Sequence, residues 1–183
     1  MSERTYLSCT ETAKLTRQAL KVAFPGVKFS VRSSNYSGGA SLQVWWVDGP
    51  RTKDVDAIAG RYAGGRFDGM TDSMSYVTDL VAFEGEDIPR LVHFGADFVF
   101  CDRTISPAYN VILNAAAQVA LNESAEFNGQ TFDPDARYPH LACRFDLVFI
   151  GYNGWDLIGW LSNRVDPNGV DYPDMITQWE VSL

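Results

Sequence analysis

A chain of 183 residues with 46% hydrophobic and 13% aromatic content can bury a core, which excludes wholesale disorder. No apolar run approaches the ~18 residues of a membrane span, and the opening MSERTYLSC has no apolar signal core, so neither membrane insertion nor secretion is expected. The net charge of −8 is uneven: residues 1–91 hold 11 basic and 11 acidic residues, whereas residues 92–183 hold 4 and 12. Such a second half repels nucleic acid and attracts a basic surface, with simple solubility as the alternative role of its charge.

In chain order, Ser8-Cys9-Thr10-Glu11 fits a capping box, and a helix should follow to about Phe24 with Ala13, Leu20, Ala23 and Phe24 inward. Pro25-Gly26 stops it. Residues 27–49, VKFSVRSSNYSGGASLQVWWVDG, then read as two strands joined by a seven-residue Ser/Asn/Gly loop. Val27, Phe29 and Val31 alternate with Lys28, Ser30 and Arg32, and Ala40 to Val47 is apolar at most positions. Trp45 and Trp46 must point to opposite faces, so one indole leaves the first core face.

Thr52 should cap a second helix with the stripe Val55, Ile58, Ala59 and Tyr62, ended by Gly64-Gly65. Residues 66–75, RFDGMTDSMS, predict a polar loop; DGMTD lacks the alternating acids and terminal Glu of a calcium loop. Residues 76–83 suit a strand or a short helix. Residues 91–101 predict one strand, with Val92, Phe94, Ala96, Phe98 and Phe100 on one face and His93, Gly95, Asp97, Val99 and Cys101 on the other.

Ser106-Pro107 reads as a cap with proline in the first turn of a helix over 107–121, buried through Val111, Ile112, Ala115 and Val119 and ended near Asn122. Residues 123–138 predict a loop, 141–151 a strand, 155–161 a strand or short helix, 166–169 a turn and 176–183 a final strand. The fold class predicted is α+β. An antiparallel or mixed sheet carries an N-terminal helix, a strand hairpin and two further helices, with an elaborated second half packed on the first in a single domain.

Several constellations could carry chemistry. The run from Arg32 to Gly39 could offer amides and hydroxyls to a phosphate, but no GxxxxGK[ST] is present; a hairpin loop is the plainer reading. His93 and His140 could join Cys101 or Cys143, yet His140-x-x-Cys143 is the only close pair, and His93 to Cys101 is roughly 26 Å along a strand. Cys9, Cys101 and Cys143 are odd in number with no CxxC, which predicts reduced thiols in a cytosolic protein. Asp97, Asp102 and Arg103 near a strand end could form a site or an ordinary ion-pair cluster. Trp155, Trp160 and Trp179, with Tyr152 and Tyr172, lie among Asp156, Asp166, Asp171 and Asp174, as core or as a protein-binding patch.

YLSCTETAKLTRQALKVAFPGVKFSVRSSNYSGGASLQVWWVDGP, then GRFDGM, then HFGADFVFCDRTIS, resemble the large polyvalent protein-associated domain family, number 29 of its series, over about residues 5–106. The resemblance implies a protein of phages, plasmids or other conjugative elements, some of whose proteins travel with incoming DNA and are thought to shield it from host defences. It carries over no catalytic residues.

The expectation is therefore a non-enzymatic anti-defence protein, anti-CRISPR or anti-restriction, acting in the bacterial host cytoplasm. Its partner would be a host defence protein, a CRISPR effector or a restriction enzyme, with no cofactor, metal, membrane or direct nucleic-acid contact expected. Glu123, Glu126, Asp133, Asp135, Asp156, Asp166, Asp171 and Asp174 would stand in for phosphates against a Lys/Arg surface. The alternatives are a small enzyme acting on nucleotide, nucleic acid or host protein, with its site around Gly38-Gly39 and Asp97/Asp102, and a structural interaction module.

Overall fold

The structure is a computed structural model and describes residues 5–83, 88–138, 141–142, 149–150 and 153–165. The chain divides into two compact units, Met1–Thr104 and Ile105–Leu183. The secondary structure is α+β, with four helices and antiparallel and mixed sheets among the described residues.

The first unit opens with a short strand β1 (Thr5–Tyr6) and helix α1 (Cys9–Ala23). The capping box is present: the Ser8 hydroxyl accepts from the Glu11 amide at 3.2 Å, and the Glu11 carboxylate accepts from the Ser8 amide at 2.8 Å. Cys9, Thr12, Ala13, Thr16 and Leu20 form the buried stripe. Ala23, expected inward, is exposed at the last residue of the helix, and two threonines are buried instead; each donates to the carbonyl four residues earlier, which makes their burial tolerable.

The Glu11 carboxyl is held below its usual range, first by the Ser8 hydroxyl and then by the Ser8 amide. A carboxyl lowered on folding stabilises above its unfolded value and loses that contribution as pH falls through its folded value. Thermal denaturation should therefore show wild type losing its advantage over Glu11→Gln below about pH 4.5. A constant gap down to about pH 3 would contradict the cap's role.

Strands β2 (Ser30–Tyr36) and β3 (Gly39–Val47) pair antiparallel, and β8 (Phe98–Thr104) lies parallel to β3 on its other side. The expected seven-residue loop is instead a tight turn at Ser37-Gly38, with Gly38 at φ 98°. Ser33, Ser34 and Asn35 are strand residues opposite Leu42, Ser41 and Ala40; an edge strand can be polar, which is why the run reads as loop. Trp46 is buried on the helix side and Trp45 points to the opposite face, as two adjacent strand residues must.

Helix α2 (Thr52–Ala59) begins one residue after its cap position, Arg51, rather than at a Thr52 cap. Val55 and Ala59 are fully buried, and a 3-10 turn (Gly60–Tyr62) follows, setting Tyr62 edge-on to Phe94 at 5.3 Å. The predicted loop at 66–75 is a hairpin, β4 (Gly65–Asp68) with β5 (Ser73–Tyr76). Strand β6 (Thr78–Val81) then pairs antiparallel with β7 (Arg90–His93), and β7 pairs parallel with β1.

The predicted single strand 91–101 is two strands in two sheets, β7 and β8, separated at Phe94–Asp97. Gly95 causes the break: a Cβ there would lie 2.2 Å from the Leu7 carbonyl oxygen and 2.7 Å from the Cys9 amide. The break also shifts the pleat. Val99 and Cys101 face the core, while Phe98 and Phe100, predicted to share a face with the buried Val92, Phe94 and Ala96, lie on the side away from it. Helices α1 and α2 thus share one core with Val31, Leu42, Val44, Trp46, Val99 and Cys101.

The second unit has α3 (Pro107–Glu123), capped by the Ser106 hydroxyl accepting from the Tyr109 amide at 3.1 Å, and α4 (Gly154–Leu161), capped by Asn153. The ends of the predicted strand 141–151 pair with each other, β9 (Leu141–Ala142) antiparallel to β10 (Phe149–Ile150). The core stripe of α3 is Tyr109, Leu113, Ala117, Ala120 and Leu121. Val111 and Ala115 are exposed, Val119 is half-buried, and of the predicted set only Ile112 packs against this core. An alanine-rich helix is apolar nearly all round, so periodicity does not select a face; Tyr109 does, through its hydroxyl, which donates toward the Ser162 and Val165 carbonyls. The predicted turn at 166–169 and strand at 176–183 lie outside the described residues, as do Cys143, His140, Tyr152, Tyr172 and Trp179.

Candidate functional site

The second unit holds three arginines and ten acids, a net of −7. Five of the eight acids singled out from sequence are described, Glu123, Glu126, Asp133, Asp135 and Asp156, and all five are exposed. None of them is in an ion pair among the described residues. Asp166, Asp171 and Asp174 lie outside the described residues.

Three of the five meet at the start of α4. The Gly154 amide donates to the Ala136 carbonyl at 2.8 Å, and Gly154 sits so close to Asp133 and Pro134 that a Cβ would lie 2.6 Å from their backbones. Asp133 turns the chain by accepting from the Asp135 amide at 2.9 Å. Asp135 accepts from the Trp155 indole at 3.0 Å, holding a 57%-exposed ring upright beside it. Asp156 accepts from the Asn153 amide at 3.2 Å, where a carboxylate suits the helix N-terminus.

Glu123 and Glu126 lie at the other end of the same loop. Glu123 closes α3, where the carbonyl ends of the helix favour a cation, and α3 has no basic residue in its last turn. Gln118 ties the loop back to the helix by donating to the Gln130 carbonyl and accepting from the Phe132 amide. Glu123→Lys should raise the thermal midpoint, with a gain of about 0.3–1 kcal/mol in denaturant unfolding. An unchanged or lowered stability would mean that the carboxylate has a structural partner.

In the first unit, Gly39 and Asp97 do meet. The Asp97 carboxylate accepts from the Ala40 amide at 2.9 Å, and the Asp97 amide donates to the Ala40 carbonyl at 2.8 Å. That carboxylate fixes the start of β8 to β3. Asp102 is five residues further on, ~16 Å along a strand, and cannot share a proton with it. His93 lies between the Tyr6 and Tyr76 rings at 5.4 and 5.7 Å, in a different sheet from Cys101. Burial pushes the Cys101 thiol up to about 12, with Asp56 and Asp102 adding to the effect, so it is not a thiolate nucleophile. Burial also raises Cys9. No group of three His, Cys, Asp or Glu side chains able to hold a metal occurs among the described residues.

A 290 Å³ groove opens between the 3-10 turn, β4 and β6. Arg61, Arg66 and Asp79 are among the residues that line it. Sequence reading missed this groove and the aromatic outer face of β8; the glycine inside the HFGADFVF run was the signal of a broken strand.

What these features define is an α+β protein whose first unit has a three-stranded sheet backed by two helices and whose second unit exposes carboxylates that have no ion-pair partner among the described residues. The chain belongs to the large polyvalent protein associated domain 29 family, whose model matches residues 7–106, nearly all of the first unit. That membership makes it a polyvalent-protein-associated component of a phage or mobile element. No curated protein and no solved structure matches the chain. No helix among the described residues is long and apolar enough to cross a membrane.

Proposed function

We propose that this protein is an anti-defence factor of a mobile element, which binds a host defence effector and blocks its DNA-binding surface with the acidic second unit. A CRISPR effector or a restriction enzyme is the class of partner, since each needs a Lys/Arg surface to hold DNA. The observation that carries the reading is the exposure of Glu123, Glu126, Asp133, Asp135 and Asp156 without an ion-pair partner among the described residues, in a unit of net charge −7. Exposed carboxylates present their field to an incoming cationic groove. The exposed Trp155 held by Asp135 supplies an aromatic anchor of the kind that dominates protein interfaces.

The test is capture from bacterial lysate with wild type and a charge variant. Because the Asp133 carboxylate holds the turn and the Asp135 carboxylate holds Trp155, both are replaced by Asn, whereas Glu123 and Glu126 are replaced by Lys. The reading expects a DNA-binding defence protein retained by wild type and released by the variant. Equal retention by both, or capture of proteins without a cationic DNA site, overturns it.

A further inference from the structure

The three-stranded sheet of the first unit has two unlike faces. Helices α1 and α2 cover one. The other carries Arg32, Ser34 and Tyr36 from β2, Ser41, Gln43 and Trp45 from β3, and Phe98, Phe100 and Asp102 from β8, because residues paired across strands share a face. Tyr36 and Phe100 are each 48% exposed. The Phe98 and Phe100 rings stack with centroids 6.1 Å apart, and the Arg32 guanidinium lies over Trp45 at 5.6 Å.

We infer that this face is a stacking platform for an unpaired nucleic-acid strand. Aromatic side chains spread on an open sheet take successive bases by their π-faces, and arginine adds stacking and phosphate contact. Beside the rings lie the exposed Ser34 and the half-buried Gln43, hydrogen-bonding side chains that suit base edges, while Ser41 between them is buried. Charge agrees with this occupant. Arg32 lies across β3 from Phe100, and at the Phe98 end the Gly65 amide donates to the Asp97 carbonyl at 3.2 Å, which brings the groove of Arg61 and Arg66 beside the strand's start. Asp102, the one acid on the face, sits alongside Trp45 at the opposite end, so the strand runs over Phe98 and Phe100 toward Tyr36. The ten acids that repel nucleic acid belong to the other unit.

The inference is independent of the anti-defence reading, since it uses no residue of the second unit. It is tested on the full chain by fluorescence anisotropy with labelled oligo-dT of about 12 nucleotides, oligo-rU of equal length and a matching duplex. The platform predicts that both single strands bind within a few-fold of each other, because stacking does not read the sugar, and that the duplex binds more weakly. Phe98→Ala and Phe100→Ala should each weaken dT binding about tenfold. Phe100→Trp should retain binding, and Arg32→Gln should weaken it while lowering its salt dependence. Circular dichroism melting checks that the variants are folded. No dT binding by wild type, affinity unmoved by both alanine variants, or equal affinity for duplex overturns the inference. So does a change in oligomeric state of the Phe100→Ala protein, which would assign the face to a second copy of the chain.

Discussion

Trp46→Ala should destabilise the first unit by about 3–5 kcal/mol, whereas Trp45→Ala should cost about 1 kcal/mol or less. The two indoles are neighbours in sequence and opposite in environment. Trp46 is 2% exposed, its ring 5.7 Å from Phe29, and its indole N–H donates to the Pro50 carbonyl at 2.9 Å. Removing it leaves a cavity beneath α1 and α2 and strips that carbonyl of its donor. Trp45 lies on the open face under Arg32, where truncation exposes little and orphans nothing. Urea unfolding of the two variants separates them. Since whole domains are stable by about 5–15 kcal/mol, the Trp46 variant should be near the limit of folding at 37 °C. Equal losses for both would mean that the sheet is covered on both faces.

Gly95→Ala should be comparably damaging, at or above about 3 kcal/mol. The added methyl would meet backbone, not a side chain that can swing away: the Leu7 carbonyl oxygen at 2.2 Å, and the Ser8 carbonyl carbon and Cys9 amide at 2.7 Å. The same glycine's amide donates to the buried Thr12 hydroxyl at 3.1 Å, so the start of α1 and the β7–β8 crossing are locked together there. Relief requires one of them to move, which disturbs the parallel pairing of β1 with β7. Gly60→Ala is the control, because its Cβ would meet nothing within 4 Å. Thermal melting should show a large drop for the first and little change for the second. Similar midpoints would contradict the close approach.

Local signals in the chain were readable and long-range ones were not. The caps at Ser8 and Ser106 were visible because every participant lies within three residues. The opposed tryptophans followed from strand geometry alone. The buried face of α3 was hidden, since it depends on Tyr109 finding carbonyls more than fifty residues away. The flip of Phe98 and Phe100 was hidden because Gly95 breaks the strand by contact with Leu7 and Cys9, which are far off in sequence. For the acids, exposure was legible from charge. Their local duties were not: Asp135 positions Trp155, twenty residues on, which only the folded chain brings close, while the Asn153–Asp156 cap of α4 is a three-residue signal that was overlooked.

The proposed anti-defence role would have the carboxylates of the second unit occupy a DNA-binding surface. The most direct measurement is competition between this protein and duplex DNA for the captured defence effector, followed at ~50 and ~200 mM salt. Mutually exclusive binding, weakened more than about tenfold by the added salt, is the predicted result. A ternary complex with DNA, or an affinity indifferent to salt, would contradict it.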